Sequence, residues 1–142
     1  EFLKQAGDNA ENMFILMAWS TDILAKKDQW ATDYNNEFKG RYGYDFSELP
    51  SNSYQNVYIL ADALERAEST EPKSLREALL ETDITEGEAL INPYKGIKFG
   101  TVRGMVNQNI YAQMLVSQVQ NGKLRVVWPE EFAPEDVNMI WK

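Results

Sequence analysis

The 142-residue sequence contains no cysteine and no histidine. Without cysteine there are no disulfides, thiolate metal sites or thiol nucleophiles. Without histidine the commonest general base and the commonest metal ligand are both missing. A Ser-His-Asp triad cannot be assembled within the chain, and zinc chemistry would have only carboxylates to draw on. Long apolar runs are also missing. The longest, Met13 to Trp19, falls well short of the ~18 residues needed to cross a bilayer and lacks the basic start of a signal peptide. Basic charge is scarce too: 14 Lys and Arg stand against 22 Asp and Glu, a net charge of −8. A polyanion is repelled by most of such a surface, so neither nucleic acid nor an acidic membrane is expected as a partner. These absences move the expectation from catalysis toward binding, with no metal and no cofactor.

What is present argues for a folded α/β protein. Hydrophobic residues make up 44% of the chain and aromatics 12%, which argues against disorder. A chain of this length can bury about 70% of its unfolded surface. Met13 to Trp19, apolar at every position, reads as a buried strand in the middle of a parallel or mixed sheet. From Asp28 the period changes, and Trp30, Tyr34, Phe38 and Tyr42 recur every four residues on one helical face. Asp28 is the expected N-cap and Gly43 the expected stop. Core packing is the reading preferred for this stripe over a ligand-stacking surface, with Asp33, Glu37 and Lys39 on the other side.

Tyr44 to Ser53 reads as a loop, because Pro50 blocks helix continuation. A second helix, capped by Asn52 or Ser53, is expected to bury Val57, Leu60, Ala61 and Leu64. A third begins near Pro72, capped by Thr70, with Leu75, Ala78 and Leu79 as its apolar stripe. Glu88 to Ile91 and Ile97 to Phe99 are candidate strands. Alternation from Ile110 through Val116 runs into Asn121-Gly122, a type I′ hairpin signal, and resumes at Leu124, Val126 and Trp128 before Pro129 ends it. The tail to Lys142 is compatible with a short strand or a helix. Three amphipathic helices with so few strands between them imply that part of the sheet is supplied from elsewhere.

Several short motifs, in order, carry a family likeness. Gly7-Asp8-Asn9-Ala10-Glu11 ahead of an apolar strand resembles G-D-A-A-E-G, with Asn12 in the place of the final glycine. Phe38 and Arg41-Tyr42-Gly43 are similar to F…(K/R)-Y-G. Tyr54 followed by Ala61-Asp62-Ala63-Leu64-Glu65-Arg66-Ala67 resembles Y-D-A…L-A-D-A-L-E-R-A. Leu75-Arg76-Glu77-Ala78-Leu79 is similar to L-R-D-A-L. Gly96-Ile97-Lys98-Phe99 resembles G-x-I-x-F-D, with Gly100 at the aspartate position, and Gln118 to Pro129 resembles Q-V-Q-x-G-K…V-x-P. From about Gly7 to Pro129 the sequence thus resembles the C-terminal part of type I periplasmic binding proteins of the branched-chain amino acid group, the substrate-binding components of ABC transporters.

The resemblance implies a two-lobed α/β protein, more than twice this length, that closes on a small amino acid-like ligand. It implies delivery to an ABC permease in the membrane, no enzymatic activity, and a place in the periplasm or, lipid-anchored, outside the cell, with a signal in the full-length precursor. Ligand sensing on the same fold is the alternative. Residues 1–20 would be the last strand of one lobe and a hinge crossing, 21–107 the body of the other lobe, and 108–142 a return hairpin and tail. In isolation such a piece is expected to stay with the rest of its parent chain or to exchange elements with a second copy as a homodimer.

Ligands of open α/β sheets lie at the carboxyl ends of strands. That rule selects Trp19, with Ser20 and Thr21, after the first strand. It also selects the loop holding Leu49, Ser51, Asn52 and Tyr54, ahead of a helix N-terminus whose free N–H groups suit an anion. By resemblance, this loop walls the family's pocket. Plain alternatives stand beside each: helix capping for Ser51, Asn52 and Ser53, and packing for Trp19 and Tyr54. The acidic group Asp83, Glu86 and Glu88 lacks calcium-loop spacing and reads as a solvated turn. Adjacent Glu130 and Glu131 do not make a glycosidase pair.

Overall fold

A computed structural model describes residues 2–141. In chain order the elements are α1 (Phe2–Ala6), β1 (Phe14–Met17), α2 (Gln29–Tyr42), α3 (Glu48–Ala67), α4 (Pro72–Leu80), β2 (Asp83–Ile84), β3 (Ile97–Val102), β4 (Met105–Asn109), β5 (Leu115–Gln120) and β6 (Lys123–Trp128). Short 3₁₀ turns lie at Gly7–Ala10, Thr21–Lys26, Glu88–Leu90 and Glu130–Phe132. The architecture is α/β, as expected from the sequence. The chain forms two compact units, residues 1–48 with 114–142 and residues 49–113.

The first unit holds a three-stranded antiparallel sheet in the order β1-β5-β6. Asn121 and Gly122 join β5 to β6 with φ of 53° and 72°. These are the paired positive angles of a type I′ turn, whose twist matches that of the strands. Glu11 braces the turn, its carboxylate accepting from the N–H groups of Asn121 at 2.9 Å and Gly122 at 3.2 Å. The expected central strand is corrected. β1 is an edge strand of four residues, antiparallel to β5, and Phe14 and Leu16 on it are exposed. Successive side chains of a strand point to opposite faces, and here only one face is covered. A run that is apolar throughout carries no polar residue to mark the uncovered side.

Buried Ile23, Leu115, Val119, Val126 and Phe132 form the interior of this unit. Asp22 ties the Thr21–Lys26 turn to β6, its Oδ2 accepting from Val126 N–H at 2.8 Å and Arg125 Nε at 3.3 Å. The aromatic stripe of α2 is only half inside. Ala31 and Asn35 are buried, while Tyr42 is exposed. Phe46 is the buried centre, with Tyr34, Phe38 and Trp19 set edge-on at ring-centroid distances of 5.1, 5.0 and 5.5 Å. Gly43 ends α2 at φ 81°, as expected. Asp28 occupies the N-cap position, but its side chain makes no capping bond.

The second unit carries the antiparallel order β2-β3-β4, closed by a second positive-φ pair, Arg103 and Gly104. Ile59 of α3, Ala89 and Ile97 of β3 form its core, joined by Leu79, Ile84, Leu90 and Phe99. Arg66 fastens α3 to α4, donating to the Ala78 carbonyl at 2.7 Å and to Thr82 Oγ1 at 3.0 Å while paired with Asp62 at 2.6 Å.

Four sequence expectations are corrected in this unit. The buried face of α3 is Ser51, Gln55, Ile59 and Ala63, whereas Val57 and Leu60 are exposed. Residue 71, not Thr70, is the N-cap of α4. Glu88 to Ile91 is a 3₁₀ turn followed by an irregular residue, not a strand. The alternation from Ile110 is interrupted by a turn, so β5 starts only at Leu115, and Met105–Asn109 is a strand of its own. On α3, long-range packing overrode the helix's own apolar pattern.

Candidate functional site

The residues selected by sequence fall into both units. In the second, α3 brings Ser51, Asn52 and Tyr54 into one stretch of helix, with Leu49 just ahead of them. The helix begins at Glu48, ahead of Pro50. A proline is tolerated in the first turn because the N–H it lacks has no intrahelical acceptor there anyway. Asn52 and Ser53 are therefore helical and are not caps, and the free N–H groups lie earlier than expected.

Each selected side chain has a definite environment. Leu49 is 79% exposed, which makes it available as a wall. Ser51 is fully buried on the inner face of α3. Asn52 Oδ1 accepts from Nδ2 of buried Asn92 at 3.0 Å, joining the helix to the segment before β3. Gln55, one turn on, is buried with its Oε1 lacking a hydrogen-bond partner among the described residues.

Tyr54 belongs to a cluster that the sequence did not disclose. Its hydroxyl lies 3.0 Å from Glu88 Oε2 and 3.1 Å from the hydroxyl of Tyr58, and the Tyr58 hydroxyl donates to the same Glu88 oxygen. The two rings stack at 4.8 Å with a 38° tilt. Burial, then the bonds to Tyr58 and Glu88, raise the Tyr54 pKa far above the usual phenol value. Tyr54 therefore stays protonated through the neutral range and acts as a hydrogen-bond donor, not as a base. Tyr58 could have been found from its i, i+4 spacing to Tyr54. Glu88 could not, since it lies 34 residues away and reaches the helix only through the fold.

In the first unit Trp19 is 3% exposed and packs on Phe46, the packing alternative weighed for it. Its indole N–H is buried without an acceptor among the described residues. Ser20 caps the following 3₁₀ turn, accepting from Asp22 N–H at 3.2 Å. A cavity of about 590 Å³ in the same unit, lined by Lys26, Trp128, Glu130, Pro134 and Val137 among others, contains none of the selected residues. Among the described residues no group of three acidic side chains is placed to hold a metal, and no helix is long and apolar enough to cross a membrane. The arrangement offers donors, acceptors and aromatic walls.

No family model matches the chain. It is 33% identical over 103 residues, 72% of its length, to a Leu/Ile/Val-binding protein homolog 8 of Brucella melitensis biotype 1. It is 32% identical over the same extent to the homolog of Brucella abortus strain 2308. The match covers 24% of each relative, so the chain spans about a quarter of the length of the curated relatives it matches. Two solved structures share the fold at a TM-score of 0.59 and 19% identity. They are a leucine-binding protein, LivK, of Thermotoga maritima, with 87% of this chain and 32% of that one covered, and an extracellular ligand-binding receptor of Rhodopseudomonas palustris, with 89% and 37% covered. Sequence likeness to the Leu/Ile/Val-binding homologs and the fold held in common with these two ligand-binding proteins place the chain among the type I periplasmic binding proteins, of which it carries a part.

Proposed function

We propose that the protein containing this chain captures an amino acid or a similar small solute by closing two lobes on it, and passes it to an ABC permease. The observation that carries the reading is the 33% identity to a Leu/Ile/Val-binding homolog over 72% of the chain. The site chemistry agrees with it: aromatic walls and fixed polar groups at one end of α3, and a phenol that stays protonated, suit reversible binding more than turnover. In this reading Leu49, Asn52 and Tyr54 contribute to the ligand wall, Ser51 supports them from the interior, and Trp19 lies on the other lobe. In this reading the lobes' shares of the chain are the two compact units, residues 1–48 with 114–142 and residues 49–113, in place of the boundaries after residues 20 and 107 expected from the resemblance. The protein works in the periplasm or, lipid-anchored, at the outer face of the cell. Exposed Leu16, Val57 and Leu60 support the expectation that the segment packs against more of its own protein, or exchanges elements with a second copy when alone.

Sensing is a second reading, favoured by the likeness to a solved extracellular ligand-binding receptor. A thermal-shift screen of the full-length protein against amino acids and small carboxylates tests binding. A ligand at 100 times its Kd adds about 2.7 kcal/mol to stability. A screen without a single shift would overturn both readings. Uptake of radiolabelled ligand in a deletion strain separates them, since a sensor's loss leaves uptake intact.

A further inference from the structure

We infer that Asn121-Gly122 is a latent deamidation site and that Glu11 is the residue that keeps it closed. The dipeptide forms the exposed turn between β5 and β6. Glycine has no side chain to hinder the approach of its own nitrogen to the preceding asparagine amide, so this pair is open to succinimide formation. In that reaction the Gly122 nitrogen gives up its proton and attacks Asn121 Cγ. A C–N bond forms, the Cγ–Nδ2 bond breaks, and ammonia leaves with the proton. Water then opens the five-membered ring at either carbonyl, giving aspartate or isoaspartate.

Glu11 sits on the nucleophile. Its Oε2 accepts from Gly122 N–H at 3.2 Å and its Oε1 from Asn121 N–H at 2.9 Å. The attack requires the Gly122 nitrogen to lose that proton and carry negative charge. A carboxylate at this distance repels the charge and stabilises the N–H form. Ring closure also draws the Gly122 nitrogen onto the Asn121 side chain, and two bonds that tie both N–H groups to one carboxylate resist that movement. Glu11 is itself fixed from both sides. Its own N–H donates to the Asp8 carbonyl at 3.1 Å, and the next residue, Asn12, donates to the Val119 carbonyl at 2.9 Å. Among the described residues its carboxylate has no partner other than the turn. The modification is not silent. It places a new negative charge beside Glu11 on a chain already at −8, and like charges at that range drive the two apart. The isoaspartyl form also lengthens the backbone by a methylene, which a two-residue turn cannot take up.

Ageing of the intact protein in mildly alkaline buffer tests this. Mass spectrometry of proteolytic peptides follows deamidation at Asn121 and, as an internal reference, at Asn52, which precedes Ser53 on a helix of the other unit. Wild type is compared with Glu11→Ala and Glu11→Gln. Glu11 is exposed, and a melting curve confirms that each variant is folded. We expect Glu11→Ala to speed modification at Asn121 by about tenfold or more, with Asn52 unchanged. Glu11→Gln, which loses the charge but keeps an acceptor, falls between the two. Equal rates at Asn121 in wild type and Glu11→Ala would overturn the inference. A rise at Asn52 matching that at Asn121 would overturn it too, since it marks general loosening of the fold and not the loss of a guard.

Discussion

The side-chain amide of Gln118 and the backbone of Ile140 form a reciprocal pair: Nε2 donates to the Ile140 carbonyl at 2.8 Å, and Oε1 accepts from its N–H at 2.9 Å. A fully buried side chain thus supplies what a neighbouring strand would have supplied. Gln120 repeats the device one pleat along, donating to the Asn138 carbonyl at 2.8 Å. The tail is held against β5 without joining the sheet, and Trp141 lies on Phe14 of the edge strand at 5.7 Å. Replacing Gln118 with Ala removes both bonds and leaves a cavity, for a cost of about 2–3 kcal/mol. Urea unfolding measures that loss. Hydrogen exchange at Ile140 should rise well beyond the global change.

Asn35 is buried in α2 and its Oδ1 accepts from the Phe46 N–H at 2.8 Å. That bond fixes the ring around which Trp19, Tyr34 and Phe38 pack. Asn35→Ala should cost about 1–3 kcal/mol, the penalty for a buried N–H left without an acceptor. It should also weaken the near-ultraviolet circular dichroism of the aromatic cluster.

Gly96 precedes β3 at a crowded point. A Cβ there would lie 2.9 Å from Tyr111 Cδ2 and 3.0 Å from the Ile84 carbonyl oxygen. Tyr111 can turn aside, but the backbone of β2 cannot move without disturbing its pairing with β3. Gly96→Ala should therefore destabilise the protein by about 1–3 kcal/mol. The midpoint of chemical unfolding checks this.

Burial pushes the pKa of Lys27 down to about 8 from 10.5, and the Asp28 carboxylate only partly opposes the shift. Well below pH 8 both folded and unfolded chains carry the proton, and the folded chain bears the cost of a buried cation. Between pH 8 and 10.5 the unfolded chain still holds the proton that the folded chain has released, so the contribution of Lys27 to stability rises with pH across that window. Relative to wild type, Lys27→Met should lose stability advantage as the pH rises from about 8 to 10.5. Melting temperatures of both proteins over that range would show converging curves. Parallel curves would count against the argument.

Local signals in the sequence determined the features that need no partner. Asn121-Gly122 dictated its hairpin because both residues accept positive φ cheaply. Gly43 stopped α2 for the same steric reason, and the period of four from Trp30 to Tyr42 required a helix. The absence of histidine and cysteine from these 142 residues excluded an imidazole base and a thiol nucleophile within them before any fold was known. Tertiary structure alone decided which faces are inside. Ser51 and Gln55 are buried while Val57 and Leu60 are not, since burial on α3 is set by where Ala89 and Ile97 lie and not by the helix's own polarity. It also placed Glu88 against Tyr54 and Tyr58. A contact between residues 34 apart is a product of chain folding, and neither position carries a local mark of the other.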